Sequence, residues 1–307
     1  MKPSVRSSIG LGILYWLTQI AALLIVFPAF FIYGYVTKQP VDFEQAMPML
    51  VTTMVSYVFL IAFLLYKGHL RTWSFYRWPG TYTIVLSLLA LTGLIVVLDG
   101  LYSFLKFIPD IMKQEFDQLM SSGAGIAVIC LFGPFIEELL FRGSIQKLLL
   151  KDHSPMKAIL ITALIFGVIH INPAQVVNAF FLGLLLGWLF YRTGSLWPSI
   201  CAHILNNSLS VLLSKALPET ENLKDVLSPW VYIFVFTASA ILFIVCIYLI
   251  WATTRQAKNL PVQPQPTEAE EATLTPADTT AETTAHITEE KGRVEDEEKV
   301  LTNETDK

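Results

Sequence analysis

The sequence predicts an all-α, polytopic integral membrane protein with about eight transmembrane helices. Three observations predict it. Of its 307 residues, 54% are hydrophobic and only 15% are charged, whereas soluble domains carry about 25% charged residues. The apolar residues gather into eight runs of roughly membrane-spanning length. The basic residues between those runs fall on alternate sides, as the positive-inside rule requires.

The runs lie near 9–36, 48–66, 82–105, 123–149, 157–171, 175–191, 196–213 and 230–252. Lys2 and Arg6 precede the first, which is far longer than a signal-peptide core and lacks a convincing cleavage site. It reads as a retained span. Lys67, Arg71 and Arg77 separate the second run from the third, and Lys147, Lys151 and Lys157 separate the fourth from the fifth. Arg192 follows the sixth, and Arg255 and Lys258 follow the eighth. The opposite loops, such as Asp42–Glu44 and Glu219–Asp225, are acidic or mixed. The expected topology is therefore a multi-pass cell-membrane protein with both termini cytoplasmic.

One stretch is short. Between Lys157 and Arg192, two runs and the turn Asn172-Pro173-Ala174-Gln175 must fit. At about 1.5 Å per residue neither arm comfortably crosses a core of about 30 Å. The turn is expected below the outer surface, which is tolerable only where protein or a wet cavity surrounds it. The last segment, from 257 to 307, is polar and acidic and is expected to be a disordered cytoplasmic tail. Its acidity accounts for the net charge of −4 and says nothing about partners of the membrane part. Cys130, Cys201 and Cys246 lie in apolar runs without metal-type spacing and read as small hydrophobes. Trp188, Trp197, Trp230 and Trp251 read as interface anchors.

Three runs carry polar groups that a lipid-facing helix would not. In the fourth, Gly133-Pro134-Phe135-Ile136-Glu137-Glu138-Leu139-Leu140-Phe141-Arg142 places three charges in an apolar helix. Each costs about 2.5–3.5 kcal/mol near a span centre unless it finds a partner or a cavity. Glu138 and Arg142 are four residues apart with the acid first, the favourable order for an ion pair on one face. Glu137 points about 100° away and is left for chemistry. Pro134 removes a helical hydrogen bond one turn earlier and opens the backbone there. The fifth run supplies Phe166 and His170, the seventh His203 and Asn207, each pair sharing a helical face.

A partly desolvated carboxylate suits general-base work on water, and an imidazole can share or relay that proton. A second histidine with an asparagine supplies donors for an oxyanion. The same residues also allow zinc ligation by Glu137, His170 and His203, and spacing does not separate the two schemes. Bland readings compete. A lone intramembrane His is often structural, Asn207 alone would be interhelical glue, and Asn206 and Asn178 read that way. A proton-relay transporter is a further rival.

With these residues in view, Glu137-Glu138-x-x-x-Arg142, Phe166-x-x-x-His170 and His203-x-x-x-Asn207 resemble the three motifs of the CPBP family. That family comprises the type II CAAX prenyl endopeptidases and the bacterial Abi, or bacteriocin-immunity, membrane proteases. The run from Gly183-x-x-x-Gly187 through Tyr191-Arg192-Thr193-Gly194-Ser195-Leu196-Trp197-Pro198-Ser199-Ile200 is also similar to it. The resemblance covers roughly 120–215. It implies an intramembrane endopeptidase in which Glu137 and His170 activate the hydrolytic water. His203 and Asn207 would then stabilise the oxyanion, with Glu138, Arg142 and Phe166 as structural support.

A metal-free mechanism is favoured, because a base plus donors already employs all four residues; zinc is the alternative. The expected organisation is N-terminal spans over 1–119, a catalytic core over 120–215, a loop and last span over 216–256, and the tail over 257–307. The expected partners are the bilayer and a membrane-embedded or lipid-anchored peptide, with no nucleic acid. A non-proteolytic membrane scaffold serving cell-surface or immunity functions is the rival from another class.

Overall fold

Every apolar run becomes a helix. The computed structural model describes residues 2–39, 45–70, 77–105, 107–217 and 222–254. The expectations for Asp42–Glu44, Arg71, Glu219, Arg255, Lys258 and the 257–307 tail lie outside these residues. The helices are α1 (Pro3–Thr37), α2 (Ala46–Tyr66), α3 (Thr81–Tyr102), a short α4 (Lys113–Met120), α5 (Gly123–Asp152), α6 (Pro155–Val168), α7 (Pro173–Thr193), α8 (Trp197–Ala216), a single turn α9 (Leu223–Val226), and α10 (Pro229–Thr253). No strand occurs among the described residues.

Six of these helices, α1, α2, α3, α5, α7 and α10, are long and apolar enough to cross a membrane. The other two expected spans fall short for different reasons. At 14 residues, α6 rises only about 21 Å. Although α8 has 20 residues, His203, Asn206, Asn207 and its serines dilute its apolar content. Both carry site residues, as α5 does. Exposed Leu, Ile and Phe side chains on α1 and α10 form the outer surface, as they must where the surroundings are hydrocarbon.

Helix α5 is continuous but contains two π-helical segments, Val128–Phe132 and Phe141–Gln146. The first follows from Pro134. The Gly133 N–H donates to the Val128 carbonyl, five residues back. The next donor in that register would be residue 134, and proline has no N–H. The Ile129 carbonyl is thereby left without its backbone partner. The Asn207 side chain supplies one, with Nδ2 donating to Ile129 O at 2.9 Å.

Close approach sets α7 against α5 and α6. A Cβ added at Gly183 would lie 3.1 Å from Ala163 Cα and 3.2 Å from Phe166 Cδ1, and one at Gly187 would lie 3.0 Å from Gln146 Oε1. Without side chains, both glycines expose their carbonyls to α5: Arg142 Nη2 donates to Gly183 O at 3.1 Å and Gln146 Nε2 to Gly187 O at 2.8 Å. Small residues four apart thus let polar side chains of one helix bond the backbone of another.

The turn after α6 is anchored through Asn172, with Pro173, Ala174 and Gln175 half-buried and Ile171 exposed. Asn172 is wholly inaccessible; its Nδ2 donates to Asp110 Oδ1 at 2.7 Å and its Oδ1 accepts from the Ile111 N–H at 3.1 Å. The α3–α4 connection therefore covers the turn. Ile171 sits in the left-handed region at φ 57°, a strained conformation for a β-branched residue.

Candidate active site

The two adjacent glutamates of α5 have opposite surroundings. Glu138 is completely buried, and its Oε1 accepts from Arg142 Nη1 at 2.7 Å and from His203 Nδ1 at 3.0 Å. Arg142 is equally buried, with its guanidinium carbon 4.9 Å from the centre of the Phe166 ring. Phe166 is the hub of this layer: its ring makes edge contacts with Phe141 at 4.8 Å, His170 at 4.9 Å and His203 at 5.6 Å. Glu137 instead faces a cavity of about 650 Å³ that His170, His203 and Asn207 also line. Its side chain keeps 13% exposure, and Oε2 lies 3.8 Å from His203 Nε2. Among the described residues its carboxylate accepts no hydrogen bond.

The bonds assign protons to the imidazoles. A carbonyl only accepts, so His170 Nδ1, 2.7 Å from Phe166 O, must carry the hydrogen. A carboxylate held by a guanidinium likewise accepts, so His203 Nδ1 donates to Glu138. In the neutral imidazole each Nε2 is then the acceptor nitrogen. His203 Nε2 points towards Glu137, and it becomes a donor only as the imidazolium. Asn207 keeps one N–H beyond the bond to Ile129, and its Oδ1 accepts from Asn206 Nδ2 at 3.1 Å.

The structure therefore brings Glu137, His170, His203 and Asn207 around one cavity and sets Glu138, Arg142 and Phe166 behind it. Glu137 is joined most closely to His203; no hydrogen bond or ion pair links it to His170 among the described residues. Among those residues, no group of three or more His, Cys, Asp or Glu side chains is placed to hold a metal ion. The three cysteines are free.

Sequence reasoning missed a further contribution. Tyr15 and Gln19 from α1 and Tyr57 from α2 line the same cavity. A tyrosine in the middle of an apolar run is a faint signal, since an edge-on aromatic ring is ordinary in a span. The cavity also reaches Asp110, Glu115 and Asp117.

Comparison with known proteins follows the same residues. Residues 120–209 match the family described as type II CAAX prenyl endopeptidase Rce1-like. The matched segment holds α5, α6, α7 and most of α8, and with them every residue of the cluster above. Over this segment the chain is similar to the type II CAAX prenyl endopeptidases. A relative outside that segment's limits extends the likeness: over 209 residues the chain is 24% identical to “Putative membrane peptidase YdiL” of Bacillus subtilis strain 168. The alignment covers 65% of this chain and 85% of the Bacillus protein. No solved structure matches the chain. The matched segment thus sits within a longer membrane part, with α1–α4 before it and α9 and α10 after it.

Proposed function

We propose that this protein hydrolyses a peptide bond of a membrane-embedded or lipid-anchored substrate, using water activated by Glu137. The observation that carries the reading is the division of labour between adjacent carboxylates. Glu138 is consumed by Arg142 and His203, whereas Glu137 faces the cavity with its oxygens free to take a proton. A carboxylate next to an imidazole in a water-poor cavity is suited to general-base catalysis.

In this reading Glu137 removes a proton from water while the water oxygen attacks the scissile carbonyl carbon. His170 Nε2, its other nitrogen tied to Phe166, accepts the second water hydrogen and orients the nucleophile. The carbonyl oxygen gains the negative charge, and the free Asn207 N–H donates to it. Glu137 passes its proton to the leaving amine directly or through His203 Nε2, 3.8 Å away. Collapse of the tetrahedral intermediate then breaks the C–N bond, and the second water proton passes from the new carboxylic acid to the amine, leaving a carboxylate and an ammonium. Glu138 and Arg142 keep His203 in the required tautomer.

The distribution of basic residues supports a topology in which the start of α1 and the end of α10 face the cytoplasm. Lys2 Nζ donates to Asp152 O, so the start of α1 lies at the basic end of α5. Arg192 bonds the Trp251 carbonyl, so α7 and α10 end together. Both contacts agree with the distribution of basic residues.

The test compares peptides from membranes and medium of cells expressing wild type, Glu137→Ala or Glu138→Ala at matched levels. Specific products that vanish in Glu137→Ala identify both activity and substrate. Identical profiles in all three, with any cellular phenotype retained, would replace the protease reading with a scaffold.

A further inference from the structure

The reaction just described can use a further donor. A tetrahedral oxyanion is ordinarily met by two hydrogen-bond donors held in place beforehand. His203 Nδ1 is committed to Glu138, and one Asn207 N–H is committed to Ile129. The second Asn207 N–H is available, and His203 Nε2 joins it only as the imidazolium.

Tyr57 lines the same cavity. It lies in α2, outside residues 120–209, and is 7% exposed. A Cβ built on Gly133 would sit 3.2 Å from the Tyr57 hydroxyl oxygen, and 3.1 Å from the Val128 carbonyl. Gly133 is one helical turn before Glu137 and on the same face of α5. Tyr57 and Glu137 both line the cavity. No hydrogen bond occupies the Tyr57 hydroxyl among the described residues.

The π-helical segment of α5 gathers the two donors. Within Val128–Phe132, the Ile129 carbonyl holds Asn207, and Tyr57 lies beside the adjoining Gly133. The absence of a side chain at Gly133 is what admits the hydroxyl. We infer that Tyr57 is a catalytic residue whose hydroxyl donates a hydrogen bond to the carbonyl oxygen of the scissile bond, opposite the Asn207 amide. The inference rests on the hydrolytic reading and adds to it a residue from outside the matched segment.

The experiment uses full-length protein in vesicles loaded with the host's own extracted membrane peptides, with products quantified by mass spectrometry. Wild type, Glu137→Ala, Tyr57→Phe and Gly133→Ala are compared, and initial rates against peptide load separate kcat from KM. Phenylalanine keeps the packing, so the Tyr57→Phe melting temperature should match wild type. Loss of one oxyanion donor should lower kcat about 10²-fold with KM changed less than about twofold. Gly133→Ala, which displaces the hydroxyl, should lower kcat in the same direction. If Glu137→Ala is inactive but Tyr57→Phe keeps wild-type kcat, the role of Tyr57 is overturned and the protease reading stands. If wild type releases no products, or Glu137→Ala releases the same ones, both fall together.

Discussion

Glu137 and Glu138 are neighbours in sequence with the same side chain, and they differ only in what surrounds them. Helix geometry made that difference legible: the four-residue interval to Arg142 selects Glu138 for the ion pair and turns Glu137 away. What spacing could not supply was the bond from His203 to Glu138, which joins side chains 65 residues apart on different helices. That bond fixes the proton on Nδ1, a point on which the identity of the residues is silent. Truncating Arg142 to Ala should strand a buried carboxylate and cost about 3–5 kcal/mol, seen as a large fall in melting temperature in detergent. Glu137→Gln should leave the melting temperature near wild type while lowering cleavage by about 10²-fold or more. Equal destabilisation by the two changes would contradict the division proposed for the two carboxylates.

At the scale of the element, α5 shows how a proline can create a requirement elsewhere. The backbone opening at Pro134 was expected from the missing N–H, and so was some role for Asn207, but their connection through the Ile129 carbonyl appears only when α8 is packed against α5. Asn207→Ala should leave that carbonyl unsatisfied and cost about 1–3 kcal/mol. Pro134→Ala restores a backbone donor, so Asn207→Ala should cost less in that background. A double-mutant cycle by denaturant or thermal unfolding measures the difference, with a coupling of at least about 0.5 kcal/mol expected for groups sharing one partner. Strict additivity would disconnect the two residues. Helices α6 and α7 offer a second case. The shortage of residues between Lys157 and Arg192 foretold a turn set against protein, but not that Asn172 would be paired with Asp110 from the α3–α4 connection.

On the scale of the whole molecule, the order of the helices and their all-α membrane character were legible because lipid imposes one strong rule, internal satisfaction of backbone groups by helices. The span count was less legible, since a helix sheltered by others need be neither long nor uniformly apolar, and α6 and α8 are not. The contribution of α1 and α2 to the cavity was not legible, because nothing local in an apolar run states which helix it will face. The proposed topology places Lys151 inside and Lys113 outside. With the native cysteines replaced, a membrane-impermeant maleimide should label Lys113→Cys in intact cells and Lys151→Cys only after permeabilisation; the reverse pattern would invert the protein. Because the proposed water activation uses side chains alone, cleavage should withstand EDTA, and loss restored by zinc would require a different mechanism. The central claim meets its most direct test in purified protein reconstituted with one membrane peptide that the wild type cleaves. Wild type should release two fragments at the same bond throughout, and well-folded Glu137→Gln should release them at least about 10²-fold more slowly; equal rates would contradict the account.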